Sequence, residues 1–170
     1  TERVVEAMPD GPVDAVGFSL GAMTLLRLAC AAPERFSRLV LAGIGRNVFD
    51  DDDEGRRRIL AALEGTGADD DNLGRLFSQY AHQPGNDVEA LAAIMRRPRQ
   101  RPFEPSELAV VACPTLVVIG DRDFAGPGDP LAEALPQEQL TVLRNTDHFA
   151  TPESFGFIDA TLEFLDAVPA

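Results

Sequence analysis

A serine hydroxyl attacks a carbonyl carbon only when a neighbouring base takes its proton. This chain has two histidines, His82 and His148, and so two candidate imidazole bases. Ser19 stands between glycines in Gly17-Phe18-Ser19-Leu20-Gly21. Chance at this composition would produce about 0.03 such G-x-S-x-G arrangements in the whole chain. A base also needs a carboxylate to hold its tautomer. Asp121 and Asp123, in Gly120-Asp121-Arg122-Asp123, follow an apolar run directly, and either could reach an imidazole. His148 lies in Asn145-Thr146-Asp147-His148-Phe149, just past another apolar run. His82 falls in a polar stretch and reads as a surface residue. Together these residue types could perform nucleophilic acyl transfer.

The elements around them decide whether they can meet. Residues 13–18 read as a strand, and residues 22–31 as a helix with Met23, Leu26 and Cys30 on one face. Ser19 would then sit on a sharp strand-to-helix turn. Such a turn strains the serine backbone and crowds the positions two residues away, so Gly17 and Gly21 are both expected to be needed for space. It also lifts the Ser19 hydroxyl above the sheet edge and presents the Leu20 N–H, at the helix start, to a developing oxyanion.

Three further apolar runs have the length of buried strands: residues 38–44 (RLVLAGI), 115–120 (TLVVIG) and 140–144 (LTVLR). Helices are expected at 131–135 and 153–168, and a helical remnant at 1–8. Strands buried on both faces and alternating with helices imply an α/β fold, a parallel sheet covered by helices. Residues 46–112 break this rhythm. They are rich in Arg and Asp and punctuated by Gly and Pro, with helical patterns at 56–63, 72–80 and 87–95. They read as an inserted helical unit dividing the core into residues 1–45, carrying the serine, and 113–170, carrying acid and base. No internal repeat is present.

The net charge of −13 argues against nucleic acid and anionic membrane surfaces as partners. No apolar stretch is long enough to span a bilayer. The acidic runs 50–54 and 69–71 lack EF-hand ligand spacing and read as solvated loops and helix starts, so no metal or other cofactor is expected. Cys30 and Cys113 lack metal-ligand spacing and read as buried free thiols in a reducing, cytoplasmic setting, although a chain beginning at Thr1 leaves a removed signal peptide open. All fifteen basic residues are Arg, which points to the codon bias of a GC-rich bacterial genome. Nothing sets an oligomeric state.

The order Ser19, Asp123, His148 resembles that of the α/β-hydrolase superfamily. The resemblance rests on GFSLG, RLVLAGI, TLVVIGDRD and NTDHF, and covers nearly the whole chain. In that family the acid closes a G-x-x-D pattern, which here selects Asp123. The family also places a helical cap after the strand that follows the serine turn, matching residues 46–112. The resemblance implies further strands ahead of Val13, and with them a second oxyanion donor, that this sequence does not include. It implies a serine hydrolase acting on a small acyl substrate, an ester, thioester or lactone, with Phe18, Phe124 and Phe149 as candidates for an apolar acyl pocket or for core. Acyl transfer, C–C bond hydrolysis and perhydrolysis use the same three residues. A ligand-binding module or an inactive fragment is the alternative of another class. Members with an Asp nucleophile are disfavoured because the turn carries Ser19.

Overall fold

A computed structural model describes residues 2–51, 53–98 and 100–167. They form two compact units, one of Thr1–Asp50 with Pro102–Ala170 and one of Asp51–Arg101.

The first unit is built on four parallel strands, β1 (Val13–Phe18), β2 (Phe36–Ala42), β3 (Thr115–Gly120) and β4 (Glu138–Leu143), in the order β1-β2-β3-β4. Every residue of β3 is buried, as a strand covered on both faces requires. Successive side chains alternate between the faces. Leu39, Leu41 and Val117 join one core with Leu26 and Ala29 of α2 (Leu20–Ala31) and with Leu131 of α6 (Asp129–Glu133). Val40, Ala42, Leu116 and Val118 point the other way, against Phe157, Ala160 and Phe164 of α7 (Phe155–Phe164). A short helix, α1 (Glu2–Ala7), precedes β1.

Several expected boundaries move. The run 38–44 becomes Phe36–Ala42, because Gly43 takes the left-handed φ of 66° and ends the extended chain. The run 140–144 becomes Glu138–Leu143, because polar Glu138 and Gln139 pair with Thr115 and Leu116 along the exposed outer strand. The helix expected at 131–135 starts two residues earlier and carries Pro130 in its first turn, where proline suits a helix. The helix expected over 153–168 divides into a 3₁₀ turn, Thr151–Glu153, and α7, which stops before Asp166 turns left-handed at φ 52°. Thr1 and Val168, in the helices expected at 1–8 and 153–168, lie outside the described residues. Cys113 is buried as expected, whereas Cys30 is only half-buried; burial raises the pKa of both thiols.

Arg38 ties the far end of this sheet together. Its Nη2 donates to Asp14 Oδ2 at 2.7 Å and its Nε to Asp14 Oδ1 at 3.1 Å, while Nη1 donates to Asp166 at 2.8 Å and to the Phe164 carbonyl at 3.3 Å. One guanidinium thereby links β1, β2 and the end of α7.

The second unit contains α3 (Glu54–Leu63), α4 (Asn72–Ala81) and α5 (Val88–Arg96). Ile59, Ala81 and Ala92 are buried. Three arginines brace it: Arg56 donates to the Met95 carbonyl at 2.7 Å, Arg58 pairs with Asp71, and Arg96 donates to Glu64 at 2.8 Å. Gly74 leaves room for Asp71, whose Oδ2 would lie 2.7 Å from a Cβ there. This unit is narrower than the insertion expected over 46–112. Val48, Phe103, Leu108 and Val111 belong to the core of the first unit instead.

No helix among the described residues is long and apolar enough to cross a membrane. Among those residues no group of three or more His, Cys, Asp or Glu is placed to hold a metal ion.

Candidate active site

The turn from β1 into α2 is as sharp as the glycines suggest. Ser19 has φ 52° and ψ −113°, a strained conformation for a residue with a side chain. Two backbone bonds hold it there: Ser19 N–H donates to the Ala42 carbonyl at 2.8 Å, and the Ser19 carbonyl accepts from Met23 N–H at 2.9 Å. Gly17 is sterically required, since a Cβ there would lie 2.7 Å from the Ala22 backbone nitrogen. Gly21 is not. A Cβ there meets nothing within 4 Å, because Gly21 sits on the exposed side of α2. Leu20 opens the helix, so its N–H is one of the first-turn donors that no helical carbonyl can satisfy.

His148 lies on the loop after β4 and is 4% exposed. Its Nε2 is 2.9 Å from Ser19 Oγ, and its Nδ1 is 2.9 Å and 3.0 Å from the two Asp123 carboxylate oxygens. An ionised carboxylate can only accept, so Nδ1 carries the proton and Nε2 is left to accept from the serine hydroxyl. Asp123 is itself buried and its Oδ1 also accepts from Ala125 N–H at 2.8 Å. The competing acids are engaged elsewhere. Asp121 Oδ1 accepts from Thr146 N–H at 3.3 Å, and Asp147 Oδ1 from Ala150 N–H at 3.0 Å. His82 ends α4 in the second unit, with Nδ1 2.7 Å from the Ser78 carbonyl oxygen.

Three phenylalanines surround the His148 ring, with centroid distances of 4.3 Å for Phe124, 4.8 Å for Phe18 and 5.6 Å for Phe149. They are not equivalent. Phe18 packs on the core cluster shared with α7, whereas Phe124 is 45% exposed.

Gly43, which the sequence does not mark as a site residue, also borders the site. A Cβ on it would lie 2.5 Å from the Phe18 ring and 3.2 Å from His148 Cε1. Its only sequence signal is a glycine at the end of a strand run. The neighbours that demand it come from β1 and from the loop after β4.

Residues 2–160 match the family model described as the alpha/beta hydrolase family. No curated protein sequence matches the chain significantly. Among solved structures, BpoC of Mycobacterium tuberculosis H37Rv, assigned by name to the non-heme bromoperoxidases, is 22% identical with a TM-score of 0.69 over 99% of this chain and 72% of that one. CarC, a serine hydrolase involved in carbazole degradation, is 27% identical with a TM-score of 0.62 over 98% of this chain and 69% of that one. The enol-lactonase of Burkholderia xenovorans LB400 is 20% identical with a TM-score of 0.68 over 91% of this chain and 66% of that one. These likenesses show a shared fold.

Proposed function

Since the chain belongs to the alpha/beta hydrolase family, we propose that it is a serine hydrolase that cleaves a carboxylic ester, thioester or lactone through an acyl-enzyme. The observation that carries this reading is the continuous hydrogen-bonded line from Asp123 through His148 to Ser19. Ser19 Oγ attacks the substrate carbonyl carbon while His148 Nε2 takes its proton. The carbonyl oxygen becomes an oxyanion and accepts from Leu20 N–H. The tetrahedral adduct collapses, and the leaving alkoxide or thiolate takes the proton from Nε2. Water then gives a proton to Nε2 and attacks the ester of Ser19. The second collapse releases the acid and returns that proton to Ser19. Asp123 stays ionised throughout and stabilises the transient imidazolium.

Phe124 and Phe149 would present apolar surface to the acyl group, with Phe18 supporting the base from the core side. The names of the structural relatives, an enol-lactonase and a serine hydrolase involved in carbazole degradation among them, are compatible with a small acyl substrate. Transfer of the acyl group to an alcohol or to peroxide differs only in which molecule replaces water in the second step.

A fluorophosphonate should leave one phosphonyl adduct, on the peptide containing Ser19, and Ser19→Ala should not be labelled. Hydrolysis of nitrophenyl esters over a series of acyl lengths then reads the substrate class. Equal labelling of Ser19→Ala, or an adduct on another residue, would overturn the assignment.

A further inference from the structure

Past the last residues of the sheet the chain that carries the acid and the chain that carries the base stay joined. β3 and β4 end as a pair at Gly120 and Leu143. Beyond it, Asp121 N–H donates to the Leu143 carbonyl at 2.9 Å, and Arg122 N–H donates to the Thr146 carbonyl at 3.1 Å. One side therefore advances one residue while the other advances three. The extra two, Arg144 and Asn145, loop outward, and Asn145 takes the left-handed φ of 55°. This offset of two residues lets the chain turn so that position 148 comes back beside Asp123.

Thr146 is gripped through both of its backbone groups. Its carbonyl accepts from Arg122 N–H, and its N–H donates to the Asp121 carboxylate at 3.3 Å. The Arg122 guanidinium holds the looped-out residue through Asn145 Oδ1 at 2.8 Å. Gly120 completes the grip by having no side chain, since a Cβ there would lie 2.0 Å from the Thr146 carbonyl oxygen, a backbone atom with nowhere to swing. Thr146 is two residues from His148, so the placement of its backbone bears on where the imidazole sits.

We infer that Gly120, Asp121 and Arg122 form a clamp on the Thr146 backbone that positions His148 between Asp123 and Ser19. The inference rests on the reading of His148 as the base. These three are positioning residues, because their hydrogen bonds run to the backbone of Leu143, Thr146 and Asp123 and to the Asn145 side chain, and not to the reacting atoms. Asp121 thus has a task distinct from that of Asp123 two residues on. Its carboxylate serves as a hydrogen-bond acceptor, for which its charge is dispensable.

The test uses the full chain and two readouts. The first is hydrolysis of a nitrophenyl ester. The second is the ¹⁵N-imidazole spectrum of His148, assigned against His82→Gln, in which a proton held between Nδ1 and a carboxylate resonates far downfield. Displacement of a reacting group by about 1 Å can cost about 10²-fold in rate. Gly120→Ala should lower kcat by about 10²-fold, change KM by less than about 3-fold, and move the Nδ1 proton upfield. Asp121→Leu should lower kcat about 10-fold and weaken the same signal, and Asp121→Asn, which keeps an acceptor oxygen, should restore both to within about 3-fold of the parent. If Gly120→Ala does not fold, the Asp121 pair decides alone. The clamp is overturned if Asp121→Leu keeps both kcat and the His148 signal. It is also overturned if Asp121→Asn is as impaired as Asp121→Leu, since charge would then be the operative property. Full activity of Ser19→Ala would sink the serine mechanism instead, and the His148 spectra of the Asp121 variants would still decide the clamp.

Discussion

At the scale of residues the candidate site is a short hydrogen-bonded line whose polarity is set by Asp123. A carboxylate facing Nδ1 forces the proton onto that nitrogen, leaving Nε2 able to accept from Ser19. An amide in its place can turn its NH₂ toward Nδ1 and make it an acceptor, which moves the proton to Nε2 and blocks the serine. Asp123→Asn should therefore lower kcat for a nitrophenyl ester by up to about 10⁴-fold, while the fold persists because the shape is preserved. Asp121→Asn should stay within about 3-fold. Parallel kcat measurements on the two variants separate the acids, and equal losses would contradict their different contacts. The glycines divide in the same concrete way. Gly17 is demanded by the Ala22 backbone and Gly43 by Phe18, whereas Gly21 has open space.

At the scale of elements the sheet works as a rack whose carboxyl ends carry the candidate site and whose amino ends are tied by ions. Arg38 binds Asp14 on the neighbouring strand and Asp166 beyond α7. The hydrogen bond from Arg38, with its positive charge, holds the Asp14 carboxyl below the usual carboxylate range. Its folded-state value is thus lower than its unfolded one. The ion pair stabilises the fold at pH values above the unfolded pKa, about 3.9, and loses that contribution as pH falls through the folded value. Thermal melts of the parent and Arg38→Gln should differ at neutral pH, with the parent more stable, and should converge below about pH 4. A gap that widened on acidification would refute the assignment. In the second unit Arg58 lowers the Asp71 pKa in the same sense, so acid should loosen α3 from α4 as well.

At the scale of the whole chain the sheet ends on one side at β1, which pairs only with β2 among the described residues. Val16 is 47% exposed on that strand. An extended edge with an apolar side chain templates pairing with another copy. The net charge of −13 opposes such contact, and salt screens it. Light scattering of the 170-residue chain should therefore show association that grows with protein concentration and with salt. Val16→Lys should reduce it, because a charge on an edge strand disfavours pairing. A monodisperse monomer at high salt would rule this out.

What could be read without coordinates was whatever local rules govern. The turn at Ser19 was legible because the steric conflict that needs Gly17 lies within five residues of it. β3 was legible because burial on both faces leaves an unbroken run, TLVVIG. The first two residues of β4 were not, because a strand at the sheet's edge can carry Glu138 and Gln139 where an inner strand cannot. The acid was the hardest case. Asp121 and Asp123 are chemically identical and two positions apart, and the G-x-x-D pattern of the family that the chain resembles favours Asp123. The tertiary structure assigns them different partners because the loop after β4, some twenty-five residues downstream, delivers Thr146 to one and His148 to the other. Gly43 and Gly120 follow the same logic. At each, a Cβ would lie within 3 Å of an atom that sequence distance conceals and that folding alone brings there. Sequence determined which groups could react and on which local turns they sit; long-range packing decided which of them meet.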